Sequence, residues 1–123
     1  MSAQQATSTP PKHPARGQVY WVELDPVRGA EIAKTRPCVI LSADEINRRR
    51  RTVVIVPLTT TRQAAQFPLL IEVPSAGATS KLRPEQIRSV DRARLIRAQG
   101  HVSSQDLDTI SRAVTKVLGL QAL

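Results

Sequence analysis

Apolar residues come along this chain in short bursts separated by turn-forming residues. "GQVYWVEL" (17–24) is rich in Val, Tyr and Trp, and the "DPVRG" behind it supplies Asp, Pro and Gly, so the pattern predicts a first strand and a loop. "RPCVILS" (36–42) reads as a second short strand. In the "SADEINR" that follows, Ser42 is the expected N-cap of a short helix, with Glu45 as its capping-box partner. "TVVIVPLTTT" (52–61) is the clearest strand, and Pro57 inside it predicts an edge, a bulge or the point where ladder pairing stops.

Further strands are expected at "FPLLIEV" (67–73), "EQIRSV" (85–90) and "ARLIRAQGHV" (93–102), with "PSAGATSKLRP" (74–84) as a loop. In the last stretch, "SSQDLDTISRAVTKVLGL", Leu107, Ile110, Val114 and Val117 recur at helical spacing behind Ser103 or Ser104 as cap, and Gly119 ends the run. Many short strands and one long terminal helix predict a mainly β (α+β) fold, a small curled antiparallel barrel covered by helices. There is no internal repeat.

The first fifteen residues, "MSAQQATSTPPKHPA", are polar, proline-rich and aperiodic, and are expected to be a disordered tail. Residues 16–123 are then a single domain, since a chain of 123 residues leaves no room for a second core.

Eighteen Lys and Arg against ten Asp and Glu give a net charge of +8, which points to a polyanionic partner, nucleic acid or an anionic membrane surface. Fourteen of the eighteen are Arg, whose planar fork suits phosphate. No stretch reaches the length of a membrane span and no signal peptide opens the chain, so a cytoplasmic protein with no membrane association is expected. The lone Cys38, in an apolar run, reads as a buried thiol.

Several chemistries lack their residues. The only histidines are His13 and His101, too few with one cysteine for a zinc site, and neither glycine-rich phosphate loops nor a nucleophile elbow occur. No metal or cofactor is expected. One Phe, one Tyr and one Trp cannot build a base-stacking platform, so a grip on nucleic acid must rest on charge and hydrogen bonds. What remains is a set of polar residues at strand ends: Glu31 and Arg36 around the first loop, Thr59 to Thr61 after "VPL", and Arg83, Glu85, Gln86 and Arg88 in "LRPEQIRS". The run Arg48 to Arg51 reads as a solvated loop that adds general attraction to phosphate.

The order "GQVYWVELDP", "GAE", "RPCVILS", "VVIVPLTTT", "FPLLIEV" and "EQIRSVDRARL", from about Gly17 to Leu120, resembles the MazF/PemK family of toxin endoribonucleases in sequence and spacing. The resemblance implies a strongly curved SH3-like barrel of the MazF/PemK/CcdB type, a homodimer, and metal-independent, sequence-specific cleavage of single-stranded RNA (mRNA). It also implies a cognate antitoxin whose acidic, disordered tail blocks the RNA groove.

By the same resemblance Arg36 and Thr59 match the family's essential arginine and threonine, and Arg83 and Glu85 of "RPEQ" match the catalytic pair of the PemK branch. Glu31, Lys34, Thr60, Gln86 and Arg88 are the implied RNA-binding positions. The implied reaction is attack of the RNA's own 2′-hydroxyl on the adjacent phosphorus, leaving a 2′,3′-cyclic phosphate and a 5′-hydroxyl. In "GAEIAKTR" the chain carries Ile32 and Lys34 where relatives have a glutamine and a glycine, which implies a different path for that loop. The alternative is a non-catalytic toxin-fold protein that binds nucleic acid or a partner protein such as gyrase, because a fold does not fix a function.

Overall fold

The computed structural model describes residues 13–24 and 35–120. Seven antiparallel strands form one sheet in the order β4-β5-β3-β2-β1-β7, with β6 also pairing β3. They are β1 (Gln18–Glu23), β2 (Thr35–Ile40), β3 (Thr52–Thr59), β4 (Ile71–Glu72), β5 (Lys81–Leu82), β6 (Arg88–Asp91) and β7 (Leu95–His101). Helix α1 (Asp44–Arg49) lies between β2 and β3, and helix α2 (Ser104–Val117) closes the described chain. The mainly β fold with a C-terminal helix is the one the sequence predicts.

Both faces of the central strands are covered, which is why "CVIL" and "VVIVPL" are almost continuously apolar instead of alternating. On one face Val19, Val39, Val56, Leu58 and Leu82 pack with Ile110 and Ala113 of α2. On the other, Val22, Cys38, Ile40, Val53, Ile55 and Val90 form a second cluster with Tyr20, Leu24 and Leu95 around it. Alternation along each strand sends neighbours to opposite cores: Val39 to the first, Cys38 and Ile40 to the second. Complete burial of a side chain such as Ile110 contributes about 1.5–3 kcal/mol to folding.

Pro57 is the point where pairing changes. The β2 ladder runs from Ile40↔Ile55 to Cys38↔Pro57. On the other edge of β3, β6 pairs as far as Ile55↔Arg88, and β5 takes over at Leu58↔Leu82. A proline has no N–H to give to a ladder, so it sits where β3 passes from one partner to the next.

The short helix α1 forms where expected, with a different start. Its N-cap is Ala43, without a side-chain cap, and Ser42 turns inward. The Ser42 hydroxyl bonds Asn47 Oδ1 and accepts from the Val54 N–H at 3.0 Å, while Asn47 Nδ2 donates to the Ser42 carbonyl at 3.0 Å. Asn47 is wholly buried, so these bonds decide its place, and Glu45 pairs instead with Arg48 and Arg49 on the surface.

Three other segments differ from the pattern, the first being "FPLLIEV", of which only Ile71–Glu72 is strand. "PSAGATSKLRP" contains a 3₁₀ turn, Pro74–Ala76, and the two-residue strand β5. Glu85 and Gln86, expected on a strand, lie on the 3₁₀ turn Pro84–Gln86 that precedes β6. Helix α2 starts as expected: Ser103 is the N-cap and accepts from the Asp106 N–H at 3.0 Å.

Of the expected tail, residues 1–12 lie outside the described residues; Pro14 is buried and the Ala15 N–H donates to Gln18 Oε1 at 2.7 Å. Among the described residues, no helix is long and apolar enough to cross a membrane.

Candidate active site

The candidate residues gather on the sheet face that carries the second core cluster. On β2, Arg36 follows the alternation of Cys38 and Ile40, and on β3, Thr59 follows that of Ile55 and Pro57. Continued two residues beyond Cys38↔Pro57, the register sets Arg36 against Thr59. Opposed residues of antiparallel strands project to the same side. Thr59 is half-buried and Arg36 exposed, so a guanidinium and a hydroxyl border the same open surface.

The row extends on both sides. Val22 of β1 pairs with Arg36, Lys81 of β5 pairs with Thr59, and Glu72 of β4 pairs with Lys81. Arg88, opposite Ile55 on β6, belongs to the same face. Its charge and that of Arg36 both act on Cys38: burial pushes the Cys38 thiol up to about 12, and the two guanidinium groups oppose that shift. Arg36 and Arg88, 52 positions apart in the chain, thus both bear on one buried thiol.

Arg83 stands two residues beyond Lys81 and donates through Nη2 to Gln63 Oε1 at 3.0 Å. Glu85 and Gln86 are exposed on their 3₁₀ turn, anchored by the buried Pro84. Among the described residues Glu85 makes no hydrogen bond or ion pair, and nothing joins it to Arg36 or Thr59. Thr60 is exposed, one residue past the end of β3. Glu31 and Lys34, with Ile32, lie outside the described residues.

Among the described residues, no three His, Cys, Asp or Glu side chains gather as metal ligands. The arrangement offers positive charge and a hydroxyl donor on one face of the sheet. That equipment suits an anion, a phosphodiester above all, whose oxygens it can hold and whose added charge it can stabilise.

Lys81 is the member of this row that reading the sequence missed. It lies in a stretch whose turn residues predict a loop, and a strand of two residues has no periodicity to detect. The one available signal was Lys81 and Arg83 on either side of the buried Leu82, an alternation with the charges outward.

The chain is similar to known proteins in sequence and in fold. Residues 15–118 match the family described as PemK-like, MazF-like toxin of type II toxin-antitoxin system. The chain is 34% identical over 113 residues to endoribonuclease MazF9 of Mycobacterium tuberculosis, covering 85% of this chain and 96% of that protein. It is 30% identical over 112 residues to endoribonuclease MazF of Staphylococcus saprophyticus, covering 88% and 93%. Among solved structures, an endoribonuclease from a mycobacterial species superposes with a TM-score of 0.73 at 29% identity, covering 91% of this chain and 97% of that one. A mycobacterial endoribonuclease in complex with its cognate antitoxin superposes with a TM-score of 0.71 at 28% identity, covering 89% and 99%. The chain belongs to the PemK-like, MazF-like toxin family of type II toxin-antitoxin systems.

Proposed function

We propose that this chain is an endoribonuclease toxin that cuts single-stranded RNA at short sequences, without a metal, and is neutralised by a cognate antitoxin. The observation that supports the reading is the β2–β3 register, which, continued two residues past its last pair Cys38↔Pro57, brings Arg36 opposite Thr59, two residue types suited to a phosphodiester. The net charge of +8 supports a polyanionic substrate, and the similarity to endoribonucleases MazF9 and MazF supports the class of reaction. The antitoxin partner rests on the family and on the relative solved with its antitoxin. That the toxin works as a homodimer in the cytoplasm is part of the same proposal.

In the proposed reaction the 2′-hydroxyl of the RNA attacks the adjacent phosphorus, the O2′–P bond forms and the P–O5′ bond breaks. The products are a 2′,3′-cyclic phosphate and a 5′-hydroxyl. Arg36 holds the negative charge that builds on the phosphorane oxygens, an effect worth a few kcal/mol, or about a hundredfold or more in rate. Thr59 aligns the scissile phosphate through its hydroxyl, which is too weak an acid for proton transfer.

A guanidinium is a poor proton acceptor, so Glu85 is assigned the proton of the 2′-hydroxyl. Arg83, one residue past β5, assists Glu85, and Arg36 gives the departing O5′ the proton that completes the 5′-hydroxyl. Thr60, Gln86 and Arg88 line the RNA path, and Glu31 and Lys34, outside the described residues, are assigned to RNA binding with them.

The test is to incubate the purified protein with mixed single-stranded RNA in EDTA and to analyse the fragment ends. Cyclic phosphate ends with wild type, absent with Arg36→Ala, are expected. RNA bound but left intact would overturn the enzyme reading in favour of a non-catalytic binder. Glu85→Gln with full activity would remove Glu85 from the mechanism.

A further inference from the structure

The segment that leaves β3 at Thr59 is tied down by cations from the neighbouring strand. Lys81 pairs with Thr59 across the ladder, and its ammonium donates to the Thr61 carbonyl at 3.1 Å and to the Gln63 carbonyl. Arg83 donates to the side chain of the same residue, Gln63 Oε1, at 3.0 Å. The Gln63 N–H donates to Thr61 Oγ1 at 3.2 Å, which tightens the turn between the two anchor points.

An irregular, exposed segment has no ladder to hold it, and its carbonyls would otherwise bond water. Lys81 of β5 and Arg83, one residue past its end, converge here on the segment that follows Thr59. A side chain at the last position of a strand is only as well fixed as the backbone that follows it, because fraying of that backbone frees the strand end as well.

We propose that Lys81 is a positioning residue for the cleavage reaction. By holding Thr61 and Gln63 against β5 it fixes the end of β3, and with it the Thr59 hydroxyl and the place of Thr60 at the rim of the site. Gln63 is the residue through which Lys81 and Arg83 act together. Two of the three ammonium donors are already directed at backbone carbonyls, so Lys81 works on the RNA through the turn and not as its main phosphate ligand. This inference rests on the ribonuclease reading above, and part of its test does not depend on activity.

The test compares wild type, Lys81→Met, Lys81→Arg and Gln63→Ala in the full chain. Two measurements are made: kcat and KM on a single-stranded RNA that wild type cleaves, and the rate at which an arginine-specific protease cuts after Arg62, an exposed residue inside the pinned turn. Lys81→Met is expected to cut RNA about ten- to a hundredfold more slowly, mostly through kcat, as misplacement of a catalytic group does. Proteolysis after Arg62 should be several-fold faster, with thermal melting little changed. Lys81→Arg, which can still reach both carbonyls, should recover most of both properties, and Gln63→Ala, which removes the Arg83 bond but keeps both carbonyls, should loosen Arg62 less than Lys81→Met does.

Unchanged cleavage after Arg62 in Lys81→Met would overturn the pinning. A loss confined to KM, with Lys81→Arg no better than Lys81→Met, would overturn positioning in favour of direct contact with RNA. If wild type cuts no RNA at all, the ribonuclease reading fails and the role in the reaction with it, while the protease still decides whether Lys81 holds the turn.

Discussion

Cys38 lies two residues behind Arg36 on the same face of β2, with its sulfur 3.5 Å from the Arg36 carbonyl oxygen. The thiol is fully buried and the guanidinium beyond it is exposed. The backbone that presents the arginine is thus anchored by a small apolar side chain in the core. Pro37 between them restricts Arg36 to an extended backbone, so the strand delivers its charge in one direction.

Cys38 should resist alkylation in the native protein and react once the protein is unfolded in urea. Burial raises the thiol from the ordinary 9.0 to about 12, which keeps it protonated and unreactive when folded. Above about pH 9 the unfolded thiol ionises and the folded one does not, so its contribution to stability is complete below that pH and is lost as pH rises towards 12. The wild-type urea midpoint should therefore fall more steeply with pH above about 9 than that of Cys38→Ala. Equal slopes, or rapid labelling of the native protein, would contradict the burial of this thiol.

In the proposed mechanism Arg36→Ala loses a preorganised donor to the phosphorane, so it should cut RNA about a hundredfold or more slowly than wild type. Its melting temperature should stay close to wild type, since the side chain is exposed. Arg36→Lys should recover only part of the rate, as a point charge replaces a planar fork. Thr59→Val should slow cleavage and Thr59→Ser should be milder; single-turnover rates separate these effects from binding.

Gly17→Ala should destabilise the fold. Gly17 has a φ of +91°, a region alanine rarely adopts, and an added Cβ would stand 2.6 Å from His101 Cε1. The ring has little room to yield: its nitrogens lie 2.7 Å from the Val102 carbonyl oxygen and 3.1 Å from that of Arg16. A loss of about 1–3 kcal/mol is expected, measured as a lower denaturation midpoint with an unchanged slope.

Asp106→Ala should loosen the seam between the start of α2 and the turn at Pro74–Ala76. Asp106 Oδ2 accepts from the Ser75 N–H at 2.9 Å and from the Ser75 hydroxyl, which in turn accepts from the Ser103 N–H at 2.9 Å. Replacing the carboxylate should cost about 1–2 kcal/mol, and Ser103→Ala a similar amount through loss of the cap. Measured together in a double-mutant cycle, the two should fall short of additivity, because the Ser103 hydroxyl caps the backbone N–H of Asp106, the residue whose side chain the other variant removes.

Much of the fold was legible along the chain. Helix α2 was readable because its cap, spacing and end are local features within one segment. Strands β1, β2 and β3 were readable because runs such as "VVIVPL" combine β-branched residues with bordering turn residues. Ser42 was misread as a cap because its competing partners, Asn47 and the Val54 N–H, come from the following helix and strand. Strands β4 and β5 are two residues each, too short for any period, and exist because β3 offers β5 an edge.

The sequence by itself determined the kinds of groups available: an excess of arginine, one threonine cluster after "VPL", too few ligands for zinc, and a motif order that marks the family. Only the tertiary structure decided which of them meet. Strand register paired Val22 with Arg36, and Thr59 with Lys81 and Lys81 with Glu72, and continued past Cys38↔Pro57 it brings the two sets into one row with Lys81 beside the candidate site. It left Glu85 on an exposed turn without a partner among the described residues. The physical reason is that local pattern sets which face a residue takes within its own strand, whereas its neighbour across the sheet depends on how two distant segments align.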